Sequence, residues 1–346
     1  MLDVVTQMGG VHAQLMSAAE LQLWARVQDI TPADVQDALW RERALVKTWL
    51  FRGTLHLLTA QDLPLYIGAL STLKHFRRAS WQKYHGVTLD ELEAIMAAVR
   101  DTLTDTGMTR EQLADTIATR TNMPKLAELL RSGWGAVLKP VAFQGYLCFG
   151  PNEGQNVTFV QPCHWIGEWT PVEPAQALPE VARRFLKTYG PATVDEFARW
   201  FGFEPSNAKR IFKTLAEEII EVQVEGWKAW TLTASLEQMN ALDPSPTARL
   251  LPNFDPYTIA VARHSPYLMP EQYKGRVYRP QGWISPVVLV DGRIEGVWEY
   301  DKQRAKLALK VKMFTPATAE VQQSIQAEAA RLGSFLGGDI QLTFSP

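Results

Sequence analysis

The sequence has only two cysteines, Cys148 and Cys163, too few for a disulfide framework. Cys163-His164 has no second cluster of ligand-type residues at metal-binding spacing, so no metal site is expected. No apolar run approaches the roughly 18 residues that a membrane helix needs. The opening Met1–Val11 carries Asp3 and lacks the basic segment of a secretory signal. Together these absences point to a reduced, cytoplasmic protein without a membrane partner, its cysteines serving in packing. There is no glycine-rich phosphate loop, no H-E-x-x-H helix and no nucleophile elbow, which removes the commonest nucleotide, zinc and serine chemistries and leaves no cofactor expected. The formal net charge of −2 also lacks the basic balance that usually marks nucleic-acid binding.

What is present is a chain of 346 residues, 46% hydrophobic and 21% charged. At about 100–200 residues per domain, that is material for two or three cores. The charge is unevenly spread. Arg41, Arg43, Lys47 and Arg52 form one basic stretch, and Lys74, His75, Arg77, Arg78 and Lys83 another. Acidic residues gather at Asp90–Glu93 and Glu217–Glu225. Such clusters permit one positive face, and equally fit solvated helix faces.

The middle of the chain is the most legible. Thr193 with Glu196 makes a capping box, the helix Val194–Phe201 ends at Gly202, and Pro205 opens a second helix marked by Ala208, Ile211, Phe212 and Leu215. Two short strands, Ile219–Val224 and Trp227–Leu232, follow around Glu225-Gly226. This is the order of a winged helix-turn-helix. The order recurs twice upstream. Asp90–Leu103, a helix capped by Thr109, and a helical stretch Met123–Phe143 broken near Gly133–Gly135 precede a hairpin turning at Pro151–Gly154. Earlier, Ser17 with Glu20 and Thr31-Pro32-Ala33-Asp34 open helices, and Leu45–Phe51 and Thr54–Leu58 flank Arg52-Gly53. The last hundred residues read as strands Trp283–Val290, Arg293–Tyr300 and Lys306–Phe314, a helix from Pro316 to about Leu332, and a strand Asp339–Phe344, with Asp291-Gly292 as a hairpin turn. The expected fold is α+β: winged units at 1–85, 86–170 and 171–240, then a small antiparallel β domain with a covering helix at 241–346.

The most unusual polar pattern is Gly9-Gly10-Val11-His12-Ala13-Gln14. In an extended segment His12 and Gln14 share a face. On the residues alone they also fit capping groups at a helix end.

These residues, with Leu45–Leu58, Leu138-Lys139-Pro140, Leu147–Pro151, Val157-Thr158-Phe159, Tyr189–Thr193 and Leu251–Tyr257, form an ordered set along almost the whole chain. The set resembles the winged-helix DNA glycosylases related to AlkZ and YcaQ. The resemblance implies three winged helices around a basic channel, removal of N-alkylated purines, including crosslinked ones, and a catalytic motif of Gln, a small or apolar residue, then Gln or Asp. Gln14 matches the last position, and His12 stands where the family usually has Gln. Members usually carry one or two helices ahead of the motif, so the expectation is either that the first unit lacks its leading helix or that the start site is misassigned.

An N7-alkylated guanine leaves as a neutral base, so no general acid is required. Gln14 is expected to hold the attacking water and neutral His12 to take its proton near pH 7, with activity falling on the acid side between pH 5 and 8. Alternatively, His12 only orients Gln14. Arg52, Thr54, His56 and Lys47 on the first wing, Arg77 and Arg78, Gln155 and Asn156, and Lys302 and Arg304 are candidate DNA contacts. Asp255 and Tyr257 are read as structural support. The expected partner is double-stranded DNA with alkylated bases, bound by a monomer. A non-catalytic regulator, or a factor that sequesters alkylated DNA uncut, is the competing reading.

Overall fold

The computed structural model describes residues 1–131, 135–224, 226–241, 247–260, 267–304 and 306–345. A helix, Leu2–Met8, does precede the Gly9–Gln14 segment. It ends on Gly9 at φ 68°, and Gly10 at φ 103° redirects the chain into β1 (Val11–His12). β1 is the edge of a six-stranded sheet. β2 (Leu45–Trp49) and β3 (Leu55–Thr59) form the expected hairpin, with Arg52 and Gly53 both at positive φ in its turn. β4 (Met108–Thr109), β5 (Cys148–Glu153) and β6 (Asn156–Val160) complete the order β1-β3-β2-β5-β6-β4. Lys47 pairs with Phe149 across β2 and β5, so the hairpins of the first two sequence units share one sheet.

In the second unit Thr109 caps a helix as expected, and the helix expected from Asp90 opens on an additional cap. Thr88 with Glu91 caps Leu89–Thr102, and Thr109 with Gln112 caps Arg110–Thr121. The stretch expected as one broken helix contains two, Lys125–Arg131 and Lys139–Phe143. Gly133 of the expected break lies outside the described residues. The helix Leu63–Leu70 was not marked by any periodicity, because its residues other than Pro64 are buried on every side. It packs so closely that a Cβ on Gly68 would sit 2.0 Å from the Val172 carbonyl oxygen. Gly68→Ala is therefore expected to lower stability by roughly 1–3 kcal/mol, the range for overpacking, seen as a lower denaturant midpoint.

The third unit follows its pattern closely. Pro174–Tyr189, Val194–Phe201 and Pro205–Thr214 precede the hairpin of β7 (Ile219–Val224) and β8 (Trp227–Leu232). Glu225 of its turn lies outside the described residues.

The C-terminal sheet comprises β9 (Ala248–Leu251), β10 (Val287–Val290), β11 (Arg293–Gln303), β12 (Lys306–Met313) and β13 (Asp339–Ser345), in the order β13-β12-β11-β10-β9. It is antiparallel from β9 to β12, and β13 joins parallel to β12. The helix Ala319–Leu336 makes the crossover that a parallel pair requires. The strand expected from Trp283 starts only at Val287; before it, Ile284 makes an isolated bridge to Tyr278 instead. One core joins residues from Trp49 to Leu232, and a second joins the first 57 residues to the C-terminal sheet and helix.

Candidate active site

His12 owes its position to pairing. It faces His56 across β1 and β3, with ring centroids 5.3 Å apart and planes at 83°. Its carbonyl accepts from Gln22 Nε2 at 2.9 Å, which ties the strand to the helix Met16–Trp24. That helix is not capped by Ser17 as expected. Leu15 occupies the N-cap without a side-chain bond, and Glu20 accepts from Gln36 Nε2 at 2.6 Å instead. The His12 side chain is 5% exposed, and its Nδ1 is buried without a protein hydrogen-bond partner. Gln14, two residues on, is exposed in the bend after β1.

Both residues line one cavity of about 490 Å³. Arg52, Arg110 and Lys139 also line it, and among the described residues no Asp or Glu does. Burial, then the charge of Arg52, lower the His12 pKa to about 4. The imidazole is therefore neutral through the physiological range. This moves the expected acid limb out of the pH 5–8 window.

The aromatic floor comes from the far end of the chain. Phe254, at φ 58°, sets its ring 5.4 Å from His12, and Trp283 packs edge-on against Phe254 at 5.1 Å. The next residue anchors this turn. Asp255 is fully buried and receives both Arg26 guanidinium nitrogens at 2.8 Å and the Tyr257 amide at 2.9 Å. Tyr257 Oη donates to the Gly292 carbonyl at 2.6 Å.

The other candidates divide. Thr54 lines the cavity and donates to the Phe51 carbonyl at 3.0 Å. Arg52 is exposed, but it is not a loose wing tip: its Nη1 donates to the Trp200 carbonyl near the end of Val194–Phe201. His56 does not fit a DNA contact. It is 4% exposed, packs against Phe51 at 5.4 Å, and its pKa is lowered well below the ordinary histidine value by burial, then by His12 and Arg52. Lys47 is half-buried beside the Phe149 ring, 5.6 Å away, with its pKa lowered by burial, and is not part of the cavity wall. Its strand is interior to the sheet, which withdraws it from a wing surface.

Arg77 and Arg78 are exposed and bridge Glu93 at 3.2 Å and Glu204 at 3.0 Å, pairs of a kind worth little in water. Gln155 and Asn156 are exposed, but the strands run on through Glu153, so the turn is Gly154-Gln155 rather than Pro151–Gly154. Lys302 donates to the Leu336 carbonyl at the end of Ala319–Leu336, and Arg304 stands exposed in the turn after β11. Neither belongs to the cavity wall.

Sequence reasoning missed Arg110, Lys139, Phe254 and Trp283 as cavity residues. Lys139 and Phe254 fall inside quoted motifs, yet nothing local marks their direction. Among the described residues, no group of three or more His, Cys, Asp or Glu converges as a metal site, and no helix is long and apolar enough to cross a membrane.

The chain matches the family model described as DNA glycosylase AlkZ-like over residues 5–335. The chain belongs to the AlkZ-like DNA glycosylase family. It is 35% identical over 343 residues to the interstrand DNA cross-link repair glycosylase of Streptomyces sahachiroi, covering 97% of this chain and 90% of that protein. The solved structure of Streptomyces sahachiroi DNA glycosylase AlkZ superposes with a TM-score of 0.90 at 33% identity, covering 99% of this chain and 93% of that one.

Proposed function

We propose that this chain hydrolyses the N-glycosidic bond of N7-alkylated purines in duplex DNA, interstrand crosslinks included, as a cytoplasmic monomer built around tandem winged helices. The carrying observation is that neutral His12 and Gln14 line one cavity whose described residues include Arg52, Arg110 and Lys139 and no carboxylate. A cationic base leaves as a neutral one, so the absence of an acid from the wall is no handicap. The cations suit the phosphates flanking the target sugar. Those phosphates, not the protein, then supply the negative charge near the developing oxocarbenium centre.

An imidazole with a pKa near 4 is a weak base. It acts by accepting a hydrogen bond from the water that Gln14 also holds, and takes the proton only late, once C1′ is strongly electrophilic. A crosslinked base is tethered to the opposite strand, and an open cleft at the duplex suits it better than full extrusion.

A duplex with one N7-methylguanine tests the reading: incubation followed by alkali should produce strand breaks at the lesion. Tight binding without breaks would favour the sequestering role instead.

The pH profile gives a second test. Function needs the neutral imidazole, which is present above the folded pKa and lost below it. Excision is expected to be flat from pH 5 to 8 and to be halved near pH 4. His12→Gln should lose that acid limb, since an amide does not titrate there. A limb shared by both proteins would mean acid unfolding rather than titration of His12.

A further inference from the structure

Beside the cavity holding His12 lies another of about 310 Å³, which the proposed chemistry does not use. The two share Arg52, Gly53 and Lys139 in their walls. The far side of the second is aromatic. Trp81 lies 4.3 Å from His85 and 6.2 Å from His75, and His75 lies 6.3 Å from Phe143, all between ring centroids. Among the described residues, no carboxylate lines it. Burial and neighbouring cations lower the pKa of both His75 and His85, which favours uncharged rings. At the junction, a Cβ on Gly53 would sit 3.0 Å from Lys139 Cδ. The partition is thus a bare backbone and the aliphatic stem of a lysine, and the stem is the movable part.

Rings beside cations, with no acid among them, are the combination that binds a base and its phosphate: the π-face stacks and the cation takes the backbone. An apolar ligand would not need the cations, and a simple anion would not need the rings. We propose that this cavity is a stacking subsite for a planar aromatic ring carried by the bound DNA, with Trp81 as the stacking face and Lys139 beside the adjoining phosphate. The ring comes either from a nucleobase displaced next to the lesion or from an aromatic substituent on the alkylated base. The proposal rests on the glycosylase reading for its choice of DNA as ligand.

Affinity is the readout, measured by fluorescence anisotropy on two duplexes, one with N7-methylguanine and one with an N7-guanine adduct bearing a polycyclic aromatic group. Trp81→Ala should weaken binding about tenfold, and Trp81→Phe should retain it. Loss confined to the bulky adduct assigns the ring to the substituent, and loss on both duplexes assigns it to a nucleobase. A change under about twofold on both, or a Trp81→Phe protein as weak as Trp81→Ala, overturns the subsite. Alkali-revealed breaks by the wild-type protein in the same samples judge the glycosylase reading separately, since affinity does not depend on cleavage.

Discussion

Gln14→Ala is expected to slow single-turnover excision of N7-methylguanine by about 100-fold while leaving duplex affinity almost unchanged. The magnitude follows from geometry. Losing the group that places a nucleophile costs about 100-fold when the water drifts by roughly an ångström. Gln14 is exposed at the cavity wall and ends no core contact, so its truncation should not disturb the fold. His12 is different: it is 5% exposed and packed between His56 and Phe254, and its removal would mix chemistry with packing. Gln14 is therefore the cleaner probe. Unaltered excision by Gln14→Ala would remove it from the site. A parallel fall in affinity would recast it as a DNA contact.

Arg26→Ala is expected to lower the unfolding free energy by about 3–5 kcal/mol, the cost of leaving one partner of a buried pair uncompensated. Asp255 is fully buried, with both oxygens engaged by Arg26, whose side chain is 26% exposed. The asymmetry gives the prediction its edge. Asp255→Ala should cost less, because a freed arginine can turn to water and a stranded carboxylate cannot. Excision should fall in both variants, since Asp255 follows the residue whose ring faces His12. Chemical denaturation ranks the two proteins, and equal losses would contradict the assignment of the burden to the carboxylate.

Local chemistry made much of the fold readable. The Thr193–Glu196 box, the Gly202 stop and the hairpin strands of the third unit sit at the limits their residues suggest, because caps and tight turns depend on neighbours in sequence. Asp291-Gly292 turns as expected, both residues at positive φ. The errors arose where tertiary contact prevailed. Ser17 lost its cap to a helix entered from a strand through Leu15. His56 and Lys47 looked like wing surface, but His56 sits on a strand flanked by β1 and β2 and is buried, and Lys47 sits on a strand paired with β5 of the next unit and is half-buried. The site was half legible. His12 and Gln14 are two residues apart, so their shared wall could be read from one segment. Arg110, Lys139, Phe254 and Trp283 arrive from four separate elements, and nothing in a one-dimensional pattern says that they meet.

The bond between the two hairpins also bears on ancestry. With Lys47 opposite Phe149, neither hairpin is a self-sufficient inheritance. A duplicated, deleted or transplanted copy of either would strip an interior strand of its neighbour. New lesion preferences in such a lineage should then arise by exchanging side chains along the cleft, not by recombining whole segments.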